Sequence, residues 1–67
     1  MTRPRITEVF EFFRARADRP VEFMEVRAHF PEFRIGQIRT QCSKLVTQGY
    51  ILRLESDLYR WNTEVYG

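Results

Sequence analysis

The chain has 67 residues, of which 30% are charged, with eleven Lys or Arg against nine Asp or Glu, a formal net charge of +2, one Cys and one His. That length allows one domain spanning residues 1–67, with a small core that only large apolar groups or covalent staples can stabilise. A lone Cys42 excludes an internal disulfide framework, and Cys42 with His29 cannot by themselves complete a four-ligand zinc site.

Membrane spans need about eighteen consecutive apolar residues, and the sequence has no such run. Its N-terminus also lacks the apolar stretch of a secretory signal, so the expectation is a cytoplasmic protein that does not enter a membrane. The six Phe, three Tyr and one Trp supply the bulk that so short a chain requires.

From Thr2, apolar residues at Ile6, Val9, Phe10, Phe13 and Ala17 follow the i, i+3, i+4, i+7 spacing of an amphipathic helix. Thr2 can cap that helix and Pro4 suits its first turn, while Asp18 to Pro20 ends it. Phe12 falls about a quarter-turn off the stripe, which leaves open whether it widens the core face or meets a partner.

Val21 to Phe23 alternates like a minimal strand. Val26 and Phe30 then sit four apart in a second, short helix that Pro31 interrupts, and Phe33 in the following turn is expected to point inward. The third helix runs from Arg34 to Gln48, with Ile35, Ile38, Cys42, Leu45 and Val46 on one stripe and Gly49 as its stop. Gln37, Thr40, Lys44 and Thr47 project to the opposite face, with Gln41 and Gln48 at its edge.

After Gly49, "YILRL" and "LYRW" read as two strands around an "ESD" tip. The tip has no Gly, so a turn needing positive φ would have to place Asp57 or Ser56 there. Two apolar sets compete for the buried face, Leu52, Leu54 and Leu58 against Ile51, Tyr59 and Trp61. The tail "NTEVYG" offers Tyr66 as an anchor.

Charge is distributed unevenly. Residues 34–54 carry four basic side chains, Arg34, Arg39, Lys44 and Arg53, and no acid, whereas residues 55–67 carry one basic and three acidic ones. An acid-free basic stretch suits a polyanion; a solvated helix face that happens to lack acids is the plainer alternative.

Helix, short strand, helix, tight turn, longer helix, Gly and hairpin, with Ile38, Cys42, Leu45, Gly49, Tyr50, Ile51 and Arg53 at the junction, resembles the winged helix-turn-helix family. The resemblance implies an α+β fold of three helices and a small antiparallel sheet made of a short strand plus a C-terminal hairpin wing. It further implies a small stand-alone transcriptional regulator that binds double-stranded DNA with the Arg34 to Gln48 helix in the major groove. Gln37, Thr40, Gln41 and Lys44 would then lie nearest the bases and phosphates, Arg34 and Arg39 would serve phosphates, and Arg53 would sit at the wing base.

Those residue types suit the task. Cations displace the counterions condensed on a duplex, Gln can bond adenine N6 and N7 together, and Thr can bond a base edge or pack on a thymine methyl. Arg3 and Arg5 would form a short arm ahead of the first helix. The acidic tip Glu55 to Asp57 departs from the family pattern, in which a wing tip carries Arg or Lys.

Winged helices also serve as protein-docking modules, and a phage- or plasmid-type adaptor or inhibitor without DNA readout is the rival expectation. Phe12, Trp61 and Tyr66 are either core or the material of a homodimer interface. Cys42 reads as a small buried hydrophobe, and His29 as a surface or boundary residue. No Gly-rich phosphate loop, nucleophile with an adjacent base, or metal constellation stands out, so neither an enzyme nor a cofactor is expected.

Overall fold

The computed structural model describes residues 6–66, and side chains over residues 8–64. The expected Thr2 cap, Pro4, the Arg3 and Arg5 arm and the Tyr66 side chain lie outside that range. Seven elements follow one another: α1 (Ile6–Arg14), β1 (Val21–Glu22), α2 (Phe23–His29), α3 (Ile35–Thr47), β2 (Ile51–Glu55), β3 (Leu58–Trp61) and a final turn of helix, α4 (Thr63–Tyr66). The strands form one antiparallel sheet in the order β1-β3-β2. The architecture is α+β, three helices and a small sheet, with the expected tail becoming α4.

Local chemistry sets the boundaries. Beyond Arg14, the N–H groups of Arg16, Ala17 and Arg19 bond carbonyls three residues back, at 3.0, 3.3 and 3.2 Å, so the helix tightens before Pro20. Phe23 begins α2 instead of ending β1, and its N–H donates to the Asp57 carbonyl at 2.8 Å. Pro31 cannot continue α2, and the chain turns with the Phe33 N–H on the Phe30 carbonyl at 3.2 Å. The third helix keeps its expected extent within one residue at each end, Arg34 and Gln48 being its caps.

Aromatic rings make up half of the buried apolar side chains: Phe12, Phe13, Phe23, Phe30, Phe33, Tyr59 and Trp61, beside Val9, Val21, Val26, Ile38, Cys42, Leu45 and Ile51. Each buried ring removes far more surface from water than an aliphatic side chain, which suits a chain of this length. Edge-on contacts connect the elements. Phe10 meets Tyr50 at 4.9 Å and Trp61 at 5.1 Å between ring centroids, and Phe13 meets Tyr59 at 5.9 Å.

Phe12, off the helical stripe, is only 4% exposed because α2 reaches it: the Phe30 and His29 rings lie 5.9 and 4.8 Å away, and the Arg16 guanidinium covers it at 3.8 Å. Phe12 and Trp61 are therefore core side chains of the single chain. His29 is exposed, as expected, but its ring is held between Phe12 and Phe30.

The hairpin resolves the competition between its two apolar sets. Pairing of Ile51 with Trp61 and of Arg53 with Tyr59 turns Ile51, Tyr59 and Trp61 inward and leaves Leu52 and Leu54 exposed, at 38% and 47%. A bulge between Arg53 and Glu55 shifts the register, and the described residues include no non-Gly residue with positive φ, so neither Ser56 nor Asp57 adopts it. One stripe residue behaves otherwise than expected. Ile35, at the first position of α3, is 44% exposed, since a helix end extends past the neighbours that cover its middle.

Candidate nucleic-acid interface

The outer face of α3 is set by what its inner face buries. Ile38, Cys42 and Leu45 are closed off entirely, so the residues about half a turn away, Gly36, Thr40, Ser43, Lys44 and Thr47, face outward. Two shallow concavities lie along this surface, sharing Gly36, Thr40 and Lys44. Arg34, Gln37 and Gln41 line one of them, and Arg39 and Gln48 the other. No carboxylate lines either.

The seven residues expected to contact DNA differ in how free their polar atoms are. Lys44 is exposed and forms no ion pair among the described residues, and Arg34 is exposed at the helix start. Gln37 is half-buried, and its Oε1 accepts the Arg34 N–H at 3.1 Å, so part of this side chain caps the helix. Thr40 donates its hydroxyl to the Gly36 carbonyl at 2.8 Å, which leaves its oxygen as an acceptor and its methyl as an apolar contact. Gln41 is half-buried, with Oε1 shut away from solvent and unpartnered among the described residues.

Two arginines turn toward the hairpin instead. Arg39 donates from Nη1 to Asp57 Oδ1 at 3.1 Å, and its guanidinium lies 4.1 Å from the centre of the Phe23 ring. Arg53 donates from Nη2 to the Ser56 carbonyl at 3.2 Å and borders neither concavity of α3. The structure thus gathers Arg34, Gln37, Arg39, Thr40, Gln41 and Lys44 along one helix and sets Arg53 apart on the sheet.

Gly36, Ser43 and Thr47 share the surface but were not among the expected contacts. Thr47 lay on the projected outer face, whereas Gly36 has no side chain to project; a Cβ built there would meet nothing within 4 Å. Packing does not demand glycine at that position. Its bare backbone leaves room beside Thr40 and Lys44.

Elsewhere, Arg16 and Arg19 converge on Glu25, joining the end of α1 to α2, and hold the Glu25 carboxyl below its usual range, Arg19 first by its hydrogen bond. Burial pushes the Cys42 thiol up to about 12. Among the described residues no group of three or more His, Cys, Asp or Glu could hold a metal ion, and no helix is long and apolar enough to cross a membrane. No family model, curated protein or solved structure matches this chain.

Proposed function

We propose that the chain is a winged helix-turn-helix module that binds double-stranded DNA with α3 in the major groove and acts in transcription regulation. One observation carries the reading: an exposed helix face with Lys44 unpaired, Arg34 at its start, hydroxyls at Thr40, Ser43 and Thr47, and no carboxylate along it. A duplex presents about one negative charge per 1.7 Å of axis, so each free cation on such a face gains by releasing counterions, and an acid there would lose.

The groups left available define roles. Lys44 and Arg34 serve phosphates. Thr40, its proton already given to Gly36, accepts from adenine N6 or cytosine N4 or packs its methyl on thymine. Gly36 lets the helix backbone approach closely.

Titration of labelled protein with a random duplex at about 50 and 200 mM salt tests the reading, because phosphate-led binding weakens steeply over that range. Amide shifts concentrated in α3 and lost at the higher salt support it. Their absence at the lower salt rejects it.

A protein-docking module is the second reading, favoured by exposed Leu52 and Leu54 on an edge strand beside the acidic Glu55 to Asp57 turn. A homodimer formed for DNA binding would likewise need surfaces other than Phe12 and Trp61, which the monomer already buries. Two recognition helices would then meet half-sites about 34 Å apart.

A further inference from the structure

Asp57 stands where three elements meet. Its carbonyl accepts the N–H of Phe23 at the start of α2, its carboxylate accepts Arg39 from α3 at 3.1 Å, and it belongs to the turn between β2 and β3. Arg39 meanwhile borders the same outer face as Gly36, Thr40 and Lys44. One of the cations closest to the proposed groove therefore faces a carboxylate of its own chain.

A carboxylate oxygen offers a guanidinium what a phosphate oxygen offers: an anionic acceptor at hydrogen-bond distance. Both partners are open to solvent, the Arg39 side chain 44% exposed and that of Asp57 61%, so the pair can part at small cost. The backbone bond from Phe23 to Asp57 does not depend on the carboxylate, and the turn keeps that anchor when Arg39 leaves.

We propose that Asp57 is a specificity-determining residue of this surface: an internal stand-in for a DNA phosphate that holds Arg39 in the free protein and yields it to a duplex seated against α3. This rests on the DNA-binding reading above. Loose encounters that touch only Arg34 or Lys44 leave Arg39 on Asp57 and gain nothing from it. A duplex seated deeply enough to bring a phosphate to Arg39 gains a contact that offsets opening the pair. The acidic turn thus weakens indiscriminate binding through one named arginine, and not through general repulsion alone.

The two mechanisms separate by experiment. Affinity for a random duplex is measured by fluorescence anisotropy from about 50 to 200 mM salt for the wild type, Asp57→Asn, Glu55→Gln, Arg39→Gln and the Arg39→Gln/Asp57→Asn pair, each checked for folding by circular dichroism. Asp57→Asn is expected to tighten binding about two- to fivefold, the range of an exposed pair, and Glu55→Gln by less. In the Arg39→Gln background the additional gain from Asp57→Asn should vanish. Arg39→Gln alone should make the slope of log K against log salt shallower by about 0.9, one phosphate contact.

Equal tightening by Asp57→Asn and Glu55→Gln, or an unchanged slope in Arg39→Gln, overturns the proposal while leaving DNA binding intact. No binding by any of these chains at the lowest salt overturns the DNA-binding reading, and this inference with it.

Discussion

Asn62 reaches back to Gly49, its Nδ2 donating to the Gly49 carbonyl at 2.9 Å while its own N–H bonds the Tyr50 carbonyl at 2.9 Å. The residue that leaves β3 thereby closes the turn that ends α3. That turn needs its glycine: Gly49 has φ +85°, and the Tyr50 N–H beyond it returns to the Leu45 carbonyl at 3.0 Å, satisfying the end of the helix.

Two glycines of the same helix region should consequently respond in opposite directions. A Cβ meets no atom within 4 Å at either Gly49 or Gly36, so backbone conformation decides both outcomes. Gly49→Ala is expected to lower stability by about 1–2 kcal/mol through left-handed strain, whereas Gly36→Ala should raise it by about 0.5–1 kcal/mol. Urea midpoints read the difference, and a loss of stability in Gly36→Ala would contradict it.

Phe12 tests the division between core and interface. With its ring 4% exposed under α2, Phe12→Ala should cost about 3–5 kcal/mol. The loss should be independent of protein concentration. A thermal midpoint that fell more steeply on dilution in the wild type than in the variant would place the ring in an interface instead.

Cys42 should behave as an inert core thiol. Because burial pushes its pKa up to about 12, very little thiolate forms at pH 8, and alkylation must wait for the chain to open. Labelling by iodoacetamide is expected to be slow in buffer and fast in denaturing urea. Comparable rates in the two would show the thiol to be accessible in the folded chain.

Glu25 gives stability a pH dependence of known sign. Its folded pKa lies below the ordinary 4.5, so its contribution is fully present above that value and fades as pH falls through the lowered one. Thermal midpoints should decline on acidification from pH 5. Glu25→Gln should flatten that decline while lowering the midpoint at pH 7, by a small amount given the exposure of the pair.

On the proposed DNA surface, Lys44→Glu is expected to weaken binding to all duplexes alike and to reduce the salt slope by about 1. Thr40→Ala should instead relax preference at one base pair, by about 1–3 kcal/mol, in a binding-site selection compared with the wild type. Uniform losses for both would mean that α3 does not read sequence.

The order of elements and the extent of α3 were legible because helical burial repeats every 3.6 residues, and Ile38, Cys42 and Leu45 keep that period within one local stretch. Turn chemistry was equally local: Pro31 ends α2 and Gly49 ends α3. The hairpin's buried face was not, since both of its alternating sets are apolar, and only the register with β3 and the bulge after Arg53 chose Ile51 over Leu52 and Leu54.

Phe12 illustrates the same limit from the side of the core, because its burial depends on α2 folding over α1 and not on its place in one helical period. The site divides likewise. A sequence discloses the sign of a charge and the face it occupies, which made Lys44 and Arg39 look alike. Which acid a long, flexible guanidinium meets depends on residues brought together from afar, here eighteen positions along the chain, and that proximity exists only once the hairpin is docked against α2 and α3.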